Sequence, residues 1–190
     1  MNLPNKLTVS RIIMTFVFMF FLFTTLPFGR LLALLTFIAA SVTDFLDGYI
    51  AKKYGLVSDF GKFMDPIADK ILVIGAFLAF VEMQIIPAWM VVIIMFREFI
   101  VTGLRVLMLL KGHDVSAARA GKHKTVSQTV TIIFVLIYLI ARDCVLYYNS
   151  WTERIELISV NVIMSLMLIT VTLTIVSGLS YMKENRRFFY

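Results

Sequence analysis

Six long blocks of apolar residues divide this chain of 190 residues, and they constrain its fold more than any other feature. A helix needs about 20 residues to cross the roughly 30 Å hydrocarbon core of a membrane, and most of the blocks reach that length. The blocks are continuous and do not alternate with polar residues, which is typical of helices and not of barrel strands. The sequence therefore predicts an all-α integral membrane protein with six transmembrane helices, at about residues 7–28, 31–52, 64–82, 87–110, 125–148 and 157–182.

The composition agrees with this prediction, because 60% of the residues are hydrophobic and only 16% are charged. A soluble domain is about half apolar and a quarter charged. The first block is not followed by a small-residue cleavage site, so we expect it to be retained as a span. Since no internal repeat or low-complexity tract divides the chain, we expect a single membrane domain over residues 1–190.

The basic residues of the connections indicate the orientation. When the connections are assigned to alternate sides, twelve Lys and Arg residues lie on one side and three on the other. This asymmetry predicts a multi-pass protein of the cell membrane with both termini in the cytoplasm. The formal charge is +6, but the basic residues lie in short connections between apolar blocks. Anionic lipid headgroups or a phosphorylated substrate are therefore better partners than nucleic acid.

The segment before the first span, "NLPNKLTVSRI", predicts a short amphipathic helix at the membrane interface. Asn5, Thr8 and Arg11 recur every three residues, so they share one helix face. An ordinary capped helix start explains the same residues equally well.

Four aspartates lie where carboxylates are least expected. Asp44 and Asp47 are near the cytoplasmic end of the second span, and Asp65 and Asp69 are near that of the third. Residues three or four apart share a helix face, so each pair is expected to project together. Four ionised carboxylates would repel one another unless cations neutralise them. Because no Cys or His is near, the donors are all oxygen, which favours Mg²⁺ or Mn²⁺ over zinc.

Three interpretations of the aspartates are open at this point. The leading one is a site with two metal ions that handles a phosphate or pyrophosphate group, because two ions can clamp the attacking and leaving oxygens. Gly48 and Gly61 support it, since glycine in or beside a helix suggests the close approach of backbone or ligand. The alternatives are surface carboxylates at the membrane edge and a proton or cation pathway.

The spacing of these residues resembles the signature of the CDP-alcohol phosphotransferases, D-x2-D-G-x2-A-R-x8-G-x3-D-x3-D. The matching residues are Asp44, Asp47, Gly48, Ala51, Lys52, Gly61, Asp65 and Asp69. One position departs from the signature, because Lys52 stands where the family usually has arginine. Lysine keeps the charge but lacks the bidentate fork, so its phosphate contact is expected to differ. The resemblance covers nearly the whole chain, including its length and the six spans.

The resemblance implies the CDP-alcohol phosphotransferase fold and assembly as a homodimer. It also implies transfer of a phosphatidyl group from CDP-diacylglycerol with release of CMP. The segments "LPNKLTVSR", "FMDPIADK", "REFIVTGLR" and "GKHKT" look like the branch whose acceptor is sn-glycerol 3-phosphate. By the same analogy Asp44, Asp47 and Asp65 bind two Mg²⁺ ions, with Asp65 shared between them. Asp69 contacts the second ion and is the catalytic general base. The residues expected along the CDP moiety are Asn5, Thr8, Gly48, Lys52, Ser58 and Gly61.

The acceptor's phosphate requires cations, and five candidates are available: Arg97, Arg105, Arg119, Lys122 and Lys124. The two arginines in the fourth span are costly unless they face an aqueous pocket or a partner. One alternative for them is an ion pair between Glu98 and Arg105, which share a helix face. The alternative for the three residues before the fifth span is a positive anchor at the cytoplasmic surface.

Other functions fit part of the pattern. A relative within the family would use another anionic acceptor, such as phosphatidylglycerol, giving cardiolipin, or inositol phosphate. An intramembrane prenyltransferase also uses aspartates and Mg²⁺, but its motifs lie farther apart and its chain is longer. A cation carrier would need carboxylates near the middle of the membrane and an exit route, which the sequence does not provide.

Overall fold

The computed structural model describes residues 3–26, 28–54, 59–111, 120–147 and 152–186, with side chains for 10–26, 28–43, 70–108, 111, 123–145 and 152–186. Within these residues the chain forms α-helices and no strand, so the all-α prediction is confirmed. The helices are α1 (Leu3–Phe23), α2 (Gly29–Tyr54), α3 (Asp59–Glu82), α4 (Ala88–Leu110), α5 (Ala120–Tyr147) and α6 (Glu153–Glu184).

The separate interfacial helix expected at the N-terminus is not formed. Helix α1 runs unbroken from Leu3 to Phe23, so the segment with Asn5 and Thr8 is its beginning. Pro4 is tolerated there because the first N–H groups of a helix have no intrahelical acceptor. Helices α3 and α5 also begin earlier than predicted, since hydropathy marks the lipid-crossing part of a helix and not its hydrogen-bonded end.

Two of the described helices are long and apolar enough to cross a membrane, His123–Val145 within α5 and Glu153–Glu184, which is all of α6. The apolar stretches described for α1 and α2 are shorter, Ser10–Phe23 and Gly29–Thr43. Large apolar side chains cover the outside of α6, where Leu157 and Leu179 are more than half exposed. Such an apolar exterior is typical of a helix that faces lipid.

The helices form two compact units, and the first contains residues 1–79 and 135–151. In it α1 and α2 pack along each other, with the rings of Phe18 and Phe37 5.9 Å apart. Their connection is tight at Gly29, where a Cβ would lie 2.9 Å from the Phe21 carbonyl oxygen and 2.9 Å from a Thr24 methyl group. Any larger residue at Gly29 would therefore push the two helices apart.

Polar contacts also join helices of the first unit. The Arg30 guanidinium on α2 donates a hydrogen bond to the Leu139 carbonyl on α5, at 3.1 Å, and forms an ion pair with Asp143 one turn later. Between α1 and α3 the approach is close at Gly75, where a Cβ would lie 3.3 Å from the Thr15 methyl group. These contacts fix α2 and α3, the two helices whose sequences carry the aspartates.

The second unit contains residues 80–134 and 152–190. Helices α4 and α6 pack on each other, and Ile94, Ile163 and Met167 are fully buried in its core. Helix α6 also buries a row of small and polar residues: Thr170, Thr174, Ser177, Gly178 and Tyr181. Because these recur every three or four positions, they form one stripe along the helix.

Candidate active site

The four aspartates lie within helices in the first unit. Helix α2 continues through Asp44 and Asp47, and α3 includes Asp65 and Asp69. The backbone therefore has the helical form that the spacing argument needs, and the two positions of each pair lie on the same side of their helix. The side chains of these aspartates lie outside the described residues.

The residues expected to bind the donor are distributed over three helices. Their backbones place Asn5 and Thr8 in α1, Gly48 and Lys52 in α2, and Gly61 in α3. Ser58 lies outside the described residues, as do the side chains of Asn5, Thr8 and Lys52. Their contact with a CDP moiety stays a prediction.

The chemistry of the donor set bears on whether a metal ion fits. Four carboxylates on two helices offer only oxygen ligands, which match the preference of Mg²⁺ and Mn²⁺. Among the described side chains, no group of three or more His, Cys, Asp or Glu residues could hold a metal ion. The oxygen ligands of the four aspartates would suit such an ion, and their binding of one stays a prediction.

The second unit contains a buried cluster of charges. The Glu98 carboxylate on α4 accepts hydrogen bonds from the Lys124 ammonium on α5 and, at 3.4 Å, from Nη1 of its neighbour Arg97. Only 6% of the Glu98 side chain and 9% of the Lys124 side chain are exposed. Burial makes the pairing necessary, because an isolated charge in such surroundings would be costly.

This cluster decides two of the alternatives left open by the sequence. Glu98 pairs with Lys124 and Arg97, and not with Arg105, whose side chain is exposed. Lys124 is not a solvated anchor at the membrane surface, because it is buried against Glu98. The contact of Arg97, Arg105 or Lys124 with an acceptor stays a prediction.

Helix α6 also contacts the Arg97 side chain, through Ser177 and Gly178. Nη2 of Arg97 donates a hydrogen bond of 2.7 Å to the Ser177 hydroxyl, which is buried. The next residue, Gly178, gives the arginine its space, because a Cβ there would lie 3.0 Å from Cγ and 3.5 Å from Nε of Arg97. Nε is buried and has no hydrogen-bond partner. The guanidinium is thus held from α4 and α6, and its Nε–H has no acceptor among the described residues.

The remaining predicted acceptor residues are less fully described. Lys122 belongs to the first turn of α5, but its side chain lies outside the described residues, and Arg119 lies outside them entirely. Arg105 is on α4, two turns beyond Arg97.

Sequence reasoning missed Ser177, Gly178 and the burial of Arg11. A glycine inside an apolar helical pattern usually has a packing reason, so Gly178 could have been singled out. Arg11 is one of the twelve cations assigned to the cytoplasmic side, and only 2% of it is exposed. No local pattern distinguishes a buried arginine of this kind from a solvated one.

A second polar contact joins α5 to α6 in the same unit. The Thr170 hydroxyl lies 2.6 Å from the Ser127 hydroxyl and 3.0 Å from that of Thr131. These residues line one wall of a mainly apolar cleft of about 370 Å³, which also has His123 in its lining. Hydrogen bonds of this kind hold membrane helices in register.

Comparison with known proteins identifies the family. The sequence profile of the CDP-alcohol phosphatidyltransferases matches residues 1–176. A protein of Bacillus subtilis (strain 168), named CDP-diacylglycerol–glycerol-3-phosphate 3-phosphatidyltransferase, is 37% identical over 97% of this chain and 95% of its own length. A protein of Rickettsia bellii (strain RML369-C) with the same name is 35% identical over 99% of this chain and 97% of its own length. The match over almost the whole chain leaves one assignment: this protein belongs to the CDP-alcohol phosphatidyltransferase family.

Proposed function

We infer that this protein is a CDP-diacylglycerol–glycerol-3-phosphate 3-phosphatidyltransferase. It transfers the phosphatidyl group of CDP-diacylglycerol to sn-glycerol 3-phosphate, which releases CMP and forms phosphatidylglycerophosphate for phospholipid biosynthesis. One observation carries this conclusion: relatives that bear this enzyme name align with the chain from end to end at 35–37% identity.

For the donor side, we assign the binding of two Mg²⁺ ions, or Mn²⁺, to Asp44, Asp47, Asp65 and Asp69. Bound ions would neutralise the pyrophosphate of the donor and acidify the acceptor's hydroxyl. The continuous helical backbone at the four positions supports this assignment. The CDP moiety would contact Asn5, Thr8, Gly48, Lys52, Ser58 and Gly61.

In the transfer, Asp69 would accept the proton of the 1-hydroxyl of sn-glycerol 3-phosphate. The oxygen then forms a bond to the β-phosphorus of CDP-diacylglycerol, and the bond between that phosphorus and the CMP oxygen breaks. A carboxylate is a weak base at neutral pH, so Asp69 depends on an acidified hydroxyl to act in this way.

For the acceptor side, we assign recognition of the phosphate to Arg97, Arg105, Arg119, Lys122 and Lys124. The buried cluster supports a strong role for Arg97, because Glu98 and Ser177 fix its guanidinium and its Nε–H has no acceptor among the described residues. A guanidinium has five N–H groups and matches the geometry of phosphate oxygens. Lys124 contributes charge to the same cluster while it pairs with Glu98.

We further propose that all six helices span the cell membrane, with both termini and the active site on the cytoplasmic side. The two long apolar helices and the excess of Lys and Arg in alternate connections support this topology. The chain would act as a single functional domain and assemble as a homodimer among membrane lipids. Placement at the membrane gives the active site access to a lipid donor and a soluble acceptor.

The test is the release of CMP by purified protein with CDP-diacylglycerol and Mg²⁺. The acceptors to compare are sn-glycerol 3-phosphate, glycerol, phosphatidylglycerol and inositol phosphate. We expect turnover with sn-glycerol 3-phosphate and a product that carries its phosphate. Preference for phosphatidylglycerol or inositol phosphate would assign the protein to another branch, and equal use of glycerol would contradict phosphate recognition.

The cations are tested in the same assay through Arg119→Ala and Lys122→Ala. A hydrogen bond between charged groups contributes about 1.5–3 kcal/mol, so each loss should weaken use of the acceptor by about 10- to 150-fold. The KM for CDP-diacylglycerol should stay within about twofold of that of the unchanged protein. Loss of donor affinity instead would refute the assignment of these residues.

A further inference from the structure

The guanidinium of Arg97 is held more firmly than a lone arginine in a membrane helix would be. Nη1 donates to Glu98 at 3.4 Å and Nη2 to Ser177 at 2.7 Å. Only 13% of the side chain is exposed, so the charge has little water around it. An arginine that is free to rotate loses rotamer entropy when it binds a ligand, and a side chain fixed in advance avoids much of that cost.

The space for this side chain is supplied by Gly178. A Cβ at this position would approach Cγ of Arg97 to 3.0 Å, whereas carbon atoms in contact are usually 3.5–4.0 Å apart. Glycine in the middle of a helix is less favourable than alanine, so its presence in α6 needs a reason. The close approach of the arginine provides one.

We propose that Ser177 and Gly178 on α6 are positioning residues that orient the guanidinium of Arg97 for the phosphate of the acceptor. This proposal rests on the proposed function, and it adds two residues of α6 to those that determine which acceptor is used. Ser177 fixes Nη2 by its hydrogen bond, and Gly178 sets the path of the side chain between Cγ and Nε. Glu98 holds Nη1 from the arginine's own helix, so two separate helices define the orientation of the group.

The chemistry of the cluster supports an anionic ligand. Two of the five N–H groups of Arg97 have described acceptors, and Nε is buried without one. A buried N–H group without an acceptor is uncommon and calls for a partner. Arg97 and Lys124 both contact the Glu98 carboxylate, so cationic groups converge there. A phosphate oxygen would supply the acceptor that Nε of Arg97 lacks among the described residues.

The experiment compares two variants that disturb Arg97 in different ways. Ser177→Ala removes the hydrogen bond without adding volume, and Gly178→Ala adds a methyl group against Cγ while it leaves the hydroxyl of Ser177 in place. We expect each variant to raise the KM for sn-glycerol 3-phosphate by about tenfold, which corresponds to one charged hydrogen bond. The KM for CDP-diacylglycerol should change by less than about twofold.

Matched controls separate positioning from a general effect on the fold. Ser165→Ala changes an exposed serine of α6 whose hydroxyl bonds only within its own helix, to the Asn161 carbonyl. Gly103→Ala changes a glycine of α4 whose added Cβ would meet no atom within 4 Å. Both controls should keep the KM values of the unchanged protein, and the melting temperature of every variant is measured in the same detergent.

The outcomes distinguish this proposal from the proposed function. If the unchanged protein does not use sn-glycerol 3-phosphate, the proposed function fails. If it does, but both α6 variants keep the acceptor KM or raise the KM values of donor and acceptor equally, the positioning role of Ser177 and Gly178 is wrong. A rise confined to the acceptor in either folded variant supports it.

Discussion

The ion pair between Glu98 and Lys124 gives the sharpest test of how the second unit is stabilised. Lys124→Met keeps the aliphatic stem and removes the charge, which leaves the buried Glu98 carboxylate with Arg97 at 3.4 Å as its remaining described cation. Breaking a buried pair from one side costs about 3–5 kcal/mol. Because Arg97 still contacts the same oxygen, we expect a smaller loss, about 2–3 kcal/mol.

For a chain of this length, 1 kcal/mol corresponds to a change of about 2–4 °C in melting temperature. Lys124→Met should therefore lower the melting temperature by about 4–12 °C. Glu98→Gln should also destabilise the protein, because it removes the charge that Arg97 and Lys124 both contact. The double variant should lose less stability than the sum of the two single variants, with a coupling energy of at least about 1 kcal/mol. The reason is that neither position 98 nor position 124 then carries a buried charge that has lost its partner.

The assay is thermal unfolding in detergent, followed by circular dichroism, for the unchanged protein, both single variants and the double variant. Lys183→Met is the control, because Lys183 is an exposed lysine in the last turn of α6. Its substitution should change stability by no more than about 0.5 kcal/mol. Additive effects of Glu98→Gln and Lys124→Met would refute the pairing. An unchanged melting temperature for Lys124→Met together with a raised acceptor KM would show that Lys124 serves the acceptor directly.

Three further predictions concern the first unit. Removal of divalent cations by EDTA should abolish turnover. Substitution by asparagine should lower turnover by orders of magnitude without unfolding the protein at each of Asp44, Asp47, Asp65 and Asp69. Full activity of any such variant in CMP release would contradict the metal-binding role of that aspartate. Lys52→Ala should chiefly raise the KM for CDP-diacylglycerol while Lys52→Arg stays active, and unchanged donor kinetics in Lys52→Ala would show that there is no donor contact. Asp143→Asn should lower stability by no more than about 1 kcal/mol, because the carboxylate that pairs with Arg30 is half exposed; a melting temperature more than 5 °C lower would show a larger role.

The helical class and the placement of the aspartates on one side of each helix could be predicted from the sequence, because both depend on local patterns. An apolar block must satisfy its backbone hydrogen bonds within itself in lipid, so its length and continuity predict a helix. The spacing of Asp44 and Asp47, and of Asp65 and Asp69, fixes the side of the helix on which they lie once the helix forms. The helix starts were predicted less well, since α1 and α3 extend through polar residues that hydropathy does not mark.

The partners of the charged residues were decided only by the tertiary structure. Glu98 could have paired with Arg105 on its own helix, but it pairs with Lys124, which is 26 positions away on α5. Arg97 contacts Ser177, 80 positions away, and depends on the space at Gly178. A sequence shows which charges lie within a span, but the rotation and packing of each helix determine which of several possible partners is within reach. Local patterns thus determined the helices and the sides of α2 and α3 on which the aspartates lie, while helix packing determined how the cations are held.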